Sequence, residues 1–266
     1  MKKKLIAANF KMNKTGEDIV PYFDVFLKKI DELKKSGAGN IFGDTEIVVA
    51  PPFTSLCETS WLIKPHRETI RLCAQNVYCE KCGAYTGEIS VEMIKSCGCS
   101  FVIIGHSERR NIFKEDDELI GGKIKAVYDA GGVIPILCVG EKLEIREKNS
   151  QEEFVGNQLM INLKPLKEAN ARISSLVIAY EPVWAIGTGM PIRPQDGEDM
   201  HKFIYDFVNS YIKVDELRVI YGGSVTESNI SDLMVMSHIN GALVGGASLD
   251  PSKFFNLFRL SKPSGG

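Results

Sequence analysis

Eight short apolar runs, most of them followed by a stretch of helical spacing, constrain this chain more than any single motif does. They cover residues 4–10, 46–50, 70–74, 101–104, 133–139, 176–179, 217–221 and 242–244. Runs such as Phe101-Val102-Ile103-Ile104 and Leu176-Val177-Ile178-Ala179 are apolar without alternation, and a strand of that kind needs cover on both faces. The intervening segments can supply it. Residues 17–35 set Val20, Phe23, Phe26, Leu27, Ile30 and Leu33 on one helical face, and residues 200–211 repeat the device with Met200, Phe203, Ile204, Phe207, Val208 and Tyr211. Shorter helices are predicted near residues 55–63, 91–96, 119–128, 154–163, 228–236 and 254–258. No linker or composition shift divides the series. An open doubly wound sheet usually has fewer strands, so the expected fold class is α/β, a closed (β/α)8 barrel with its active site at the C-terminal strand ends. One barrel domain over residues 1–260 is expected, with residues 261–266 as a frayed tail that has no apolar anchor.

In such a barrel the strand ends meet on one face, so residues far apart in sequence can share a pocket. Asn9 and Lys11 follow the first run, His106 the fourth and Glu181 the sixth. Pro182 fixes its own φ and pushes Glu181 toward extended backbone, which aims the carboxylate. Beyond it, Val183, Trp184 and Ile186 can exclude water, the outline of a base beneath an apolar lid. By itself the segment also fits a strand leading into an ordinary loop with Trp184 anchored in the core. His106 opens a helix start, Ser107-Glu108-Arg109-Arg110, whose positive end disfavours the imidazolium. A neutral imidazole there can donate to a developing enolate oxygen, while the plainer reading is a packed or capping histidine. Glycine-rich turns follow runs six, seven and eight: Gly187-Thr188-Gly189, Gly222-Gly223-Ser224 and Gly245-Gly246. Any one of them suits a tight turn; three at one rim point to an anion site built from backbone N–H groups, with a phosphate as the natural occupant.

Composition removes several classes. With 32 Lys plus Arg against 34 Asp plus Glu, the formal charge of −2 lacks the basic excess of a general nucleic-acid binder. No window reaches the length of a membrane span, and Leu5-Ile6-Ala7-Ala8 is too short for the apolar core of a signal peptide. Seven cysteines, an odd number, favour free thiols in a reducing compartment, hence a cytoplasmic protein. Cys79, Cys82, Cys97 and Cys99 would make a structural zinc site only by converging, whereas Cys97 and Cys99 should lie at the opposite barrel face from the loop that carries Cys79 and Cys82.

Taken together, Asn9-Phe10-Lys11-Met12-Asn13, Ala74-Gln75-Asn76, Gly83-Ala84-Tyr85-Thr86-Gly87-Glu88, Ile104 to Arg110, Leu137-Cys138-Val139-Gly140-Glu141, residues 179–189, Tyr221-Gly222-Gly223-Ser224-Val225 and Val244-Gly245-Gly246-Ala247-Ser248-Leu249 resemble the triosephosphate isomerase family over nearly the whole chain. The resemblance implies a cofactor-free, metal-free interconversion of dihydroxyacetone phosphate and D-glyceraldehyde 3-phosphate through an enediolate. It implies Glu181 as base, His106 as electrophile, Lys11 as the electrostatic residue and Asn9 as a donor. Phosphate would be gripped by Gly187, Ser224, Gly245 and Gly246. Glu108, which orders Lys11, and Cys138 would support the site. It also implies a homodimer in which the loop at residues 77–87 enters the neighbouring subunit, with Thr86 reaching toward the partner's pocket. Phe10 stands where the family usually has Trp, Asn240 where Asp is frequent, and Met190-Pro191-Ile192 departs from the usual far hinge of the lid. Two alternatives stay open at this point: an isomerase of another sugar phosphate, and a non-enzymatic interaction protein on the same scaffold. The first would need extra polar contacts; the second has no use for Asn9, Lys11, His106 and Glu181 together.

Overall fold

The structure is a computed structural model that describes residues 3–37, 40–186 and 192–262. Its strands are β1 (Lys4–Asn9), β2 (Thr45–Ala50), β3 (Ile70–Ala74), β4 (Phe101–Ile104), β5 (Ile134–Val139), β6 (Arg172–Tyr180), β7 (Lys213–Tyr221) and β8 (Gly241–Val244). They form a closed barrel in sequence order. Each neighbouring pair is parallel, and β1 closes the ring on β8 with Ala7 opposite Leu243.

Between the strands run α1 (Gly16–Lys35), α2 (Asn40–Asp44), α3 (Leu56–Leu62), α4 (Val91–Ser96), α5 (Ser107–Asn111) and α6 (Asp117–Ala130). The second half adds α7 (Leu143–Glu147), α8 (Gln151–Glu168), α9 (Pro194–Tyr211), α10 (Ile230–Met234) and α11 (Pro251–Leu260). Strand geometry sends alternate side chains to opposite faces. Leu5 and Ala7 of β1 therefore join a small inner core with Val48, Phe101, Ile136, Val177 and Leu243, while Ile6 and Ala8 face the helices in a much larger outer core. That double burial is the reason the runs lack alternation.

At the N-terminal end of the barrel Arg218 is buried, 2.7 Å from Glu46 and with its guanidinium 5.8 Å from the Phe101 ring centre. Strands β6 and β7 begin earlier than the apolar runs at 176–179 and 217–221 predict. Their first residues pair Arg172 with Lys213 and Ser175 with Glu216, and Arg172 bonds Asp215. This polar ribbon is held by ladder hydrogen bonds rather than by burial, so it leaves no apolar signal. At the other end of the chain Ser261 caps α11 and is buried, its hydroxyl donating to Phe258 O. Residues 263–266 lie outside the described residues.

Candidate active site

The barrel brings Asn9, Lys11, His106, Glu181, Ser224, Gly245 and Gly246 to one cavity of about 780 Å³ at the C-terminal strand ends. Gly187, the remaining residue of the predicted phosphate grip, lies outside the described residues, as do Met190 and Pro191 of the far hinge. Ile192, just beyond them, is buried.

The wall formed by β1 and β4 is held at many points. Lys11 has φ 52°. This left-handed conformation costs a non-glycine residue about 1 kcal/mol, so neighbouring contacts must hold it. They are present: the Lys11 N–H donates to Asn9 Oδ1 at 3.0 Å, and Gln75 Nε2 donates both to Lys11 O and to Ala50 O at 2.9 Å. Lys11 Nζ reaches Glu108 Oε1 at 2.6 Å. Gln75 thus anchors the strained lysine from the end of β3, a role that no local pattern in the sequence announces.

Gly105, at φ 70°, turns the chain out of β4 and delivers His106 to the N-cap of α5. The backbone N–H of Glu108 donates to His106 Nδ1 at 3.2 Å. A backbone N–H can only donate, so Nδ1 carries no proton and the neutral ring holds its proton on Nε2. Nε2 lies 3.1 Å from Glu181 Oε1. Arg110 braces this corner, donating to Gly105 O, Cys138 O and Asn162 Oδ1.

Glu181 is buried, and its Oε2 accepts the Ser107 N–H at 2.8 Å. A Cβ on Gly222 would lie 2.8 Å from Glu181 Cγ, so a side chain at 222 would displace the carboxylate. Beneath it, Cys138 points into the inner core; burial first, and the nearby Glu181 charge second, push its thiol well above the usual range. Cys138 is therefore a protonated wall group, not a nucleophile.

The segment after Glu181 is tethered to a residue for which the sequence assigned no role. Glu141, wholly buried, accepts from Trp184 Nε1 at 3.1 Å and from Tyr180 Oη at 3.0 Å, and its carbonyl accepts the Val183 N–H at 3.0 Å. Burial raises the Glu141 pKa, and the two donors oppose that shift. A carboxylate directly after β5 was the available signal, but its partners are some forty residues away.

After β8, a short 3-10 helix at Gly246–Leu249 begins against the cavity, so its first N–H groups have no partner within the helix. A Cβ on Gly245 would stand 3.3 Å from Lys11 Cε, which makes this turn and the lysine neighbours. Asp250, on the cavity wall, is occupied by the backbone of Ser252 and Lys253, whose hydrogen bonds hold its carboxyl below the usual range.

Thr86 sits in an exposed span, residues 80–88, that follows β3 and packs on itself through the Tyr78 and Tyr85 rings at 4.9 Å. Cys97 meets Cys57 rather than Cys79 or Cys82, and among the described residues no group of three or more His, Cys, Asp or Glu side chains converges as metal ligands would. No helix among them is long and apolar enough to cross a membrane.

The family model described as "Triosephosphate isomerase" matches residues 4–261. Curated proteins named triosephosphate isomerase match end to end. The one from Dictyoglomus thermophilum is 44% identical over 97% of this chain and 100% of its own length. That from Aquifex aeolicus is 44% identical over 95% and 97%, and that from Finegoldia magna 45% over 98% and 100%.

Proposed function

The chain belongs to the triosephosphate isomerase family, an isomerase of dihydroxyacetone phosphate and D-glyceraldehyde 3-phosphate, and from that premise we propose how its own residues carry the reaction. Glu181 is the base that moves a proton between the two adjacent carbons. His106, neutral and carrying its proton on Nε2, donates to the oxygen on which enediolate charge develops. Lys11, held by Glu108 and Gln75, supplies fixed positive potential, and Asn9 donates to a substrate oxygen. Ser224, Gly245 and Gly246, with Gly187, hold the phosphate. The observation that carries this reading is the Glu108 N–H on His106 Nδ1, because it fixes the tautomer that aims a donor into the cavity beside a carboxylate.

The resting carboxylate is bonded to Ser107 and lies against His106, so it must leave the Ser107 N–H to reach a carbon. Substrate oxygen then takes the place of Glu181 Oε1 at Nε2. The lid expected after Pro182, whose residues 187–191 lie outside the described residues, would keep water from an intermediate that otherwise eliminates its phosphate. A coupled assay of glyceraldehyde 3-phosphate isomerisation is the direct test. Glu181→Gln should lower kcat by about 10³-fold while inorganic phosphate still protects the pocket; near-normal turnover in that variant would remove Glu181 from the role.

We further infer a cytoplasmic homodimer. The loops after β1 and β4 expose Met12 (97%), Ile112 (66%) and Phe113 (63%), the loop after β3 exposes Tyr85 and Thr86, and large apolar side chains exposed at one end of the barrel suit an interface. Equal specific activity in isolated monomer and dimer fractions would oppose any need for Thr86 in the partner's pocket.

A further inference from the structure

Seven free thiols are distributed over the described barrel, and two that the chemistry above does not use are in contact. Cys57 Sγ and Cys97 Sγ stand 3.1 Å apart, joining the first turn of α3 to the residue that caps α4. Cys57 is exposed and Cys97 partly so. We propose that Cys57 and Cys97 form a reversible redox latch, a dithiol that small-molecule disulfides oxidise to an intramolecular disulfide.

The two segments are already fitted together, so little rearrangement is needed. A Cβ on Gly98 would stand 3.1 Å from Ser60 Oγ, and Arg67 Nη2 donates to that same oxygen at 3.0 Å. A disulfide requires the sulfurs to close by about 1 Å. Neighbouring Cys99 is a poor competitor: it is buried, and burial pushes its thiol up to about 12. Burial and the Cys57 contact also raise Cys97, so the exposed Cys57 is the sulfur that reacts first.

In the first step the Cys57 thiolate, its proton lost to solvent, attacks one sulfur of the small disulfide RSSR, forming Cys57–S–S–R and releasing RS⁻. In the second the Cys97 thiolate attacks Cys57 Sγ, forming the protein disulfide and releasing the second RS⁻. The protein loses two electrons and two protons, and RSSR is reduced to two thiols. The new bond closes a loop between positions 40 apart in sequence, within which lies the exposed span that carries Thr86. Its effect is on the unfolded chain, whose freedom it restricts, and not on the cavity at the strand ends.

The test exposes the purified protein to oxidised glutathione, alkylates the remaining thiols and maps the peptides. The expected product is a cross-link between the Cys57 and Cys97 peptides, reversed by a dithiol, with turnover unchanged and the thermal midpoint raised by about 5 °C. Cys97→Ser should stop at a glutathione adduct on Cys57, and Cys57→Ser should lose both cross-link and shift. A Cys82→Ser variant should keep both, which separates the latch from the Cys79 and Cys82 pair. Adducts without a Cys57–Cys97 cross-link, a cross-link confined to Cys79 and Cys82, or a cross-link with no rise in the midpoint would each overturn the proposal.

Discussion

The two walls of the cavity are secured in opposite ways. On the β1–β4 side, Lys11, Glu108 and His106 are joined to Asn9, Gln75 and Arg110 through bonds that no step of the proposed reaction needs to break. On the β6 side, Glu181 rests on the Ser107 N–H and Trp184 on Glu141, and in the proposed reaction the carboxylate gives up its bond before it acts. Electrostatic stabilisation works when the donors are in place beforehand, whereas a proton carrier has to travel between carbons. In the proposed reaction one wall serves as a fixed field and the other as a moving part.

That contrast can be broken most severely at the fixed wall. His106→Ala should lower kcat/KM by roughly 10²–10³-fold, with the larger share in kcat, because the lost donor serves the transition state. Steady-state kinetics decide it, and a change confined to KM would contradict the assignment. On the moving side the most sensitive element lies behind the cavity. His201 is wholly buried on α9, 5.7 Å from the Tyr180 ring, and Nδ1–H donates to Gly197 O. Burial lowers its pKa from 6.5 to about 4. The unfolded chain therefore takes up a proton below pH 6.5 that the folded chain refuses until about pH 4. Stability from this group is complete above pH 6.5 and falls through the window down to 4, by roughly 3 kcal/mol in all. Urea unfolding of His201→Gln and the parent at pH 7 and pH 4.5 should show a smaller acid loss in the variant.

Smaller effects sharpen the picture. Glu108→Gln keeps the backbone N–H on His106 but removes the charge that holds Lys11, and should lower kcat/KM by about tenfold. Trp184→Phe removes the indole donor to Glu141. It should alter turnover by only a few-fold, seen as a change in the ratio of inorganic phosphate to isomerised product, since one side-chain hydrogen bond is worth about 1 kcal/mol net.

Most of the fold was legible because double-sided burial writes unbroken apolar runs, and the strand ends then located Asn9, Lys11, His106 and Glu181. The polar starts of β6 and β7 were not legible, since Arg172 and Asp215 hold that ribbon through pairing and charge. The short helices α2 and α7 also escaped, being too brief to show a period. Gln75 and Glu141 were invisible as supports for a different reason. Each acts by bridging segments distant in sequence, and such contacts have no local periodicity. Cys57 has no close cysteine neighbour in sequence, unlike Cys79, Cys82, Cys97 and Cys99, yet its sulfur is the one that Cys97 touches.

The resting position of Glu181 has a consequence for selectivity. With Oε1 3.1 Å from His106 Nε2, the carboxylate stands where, in the proposed reaction, a substrate oxygen meets the imidazole. A newcomer that merely fills the volume evicts Oε1 and offers the imidazole nothing in return. One that brings both an oxygen for His106 and an anion for the glycine turns replaces it contact for contact. On the proposed mechanism the carboxylate thus screens ligands before it reacts with any of them.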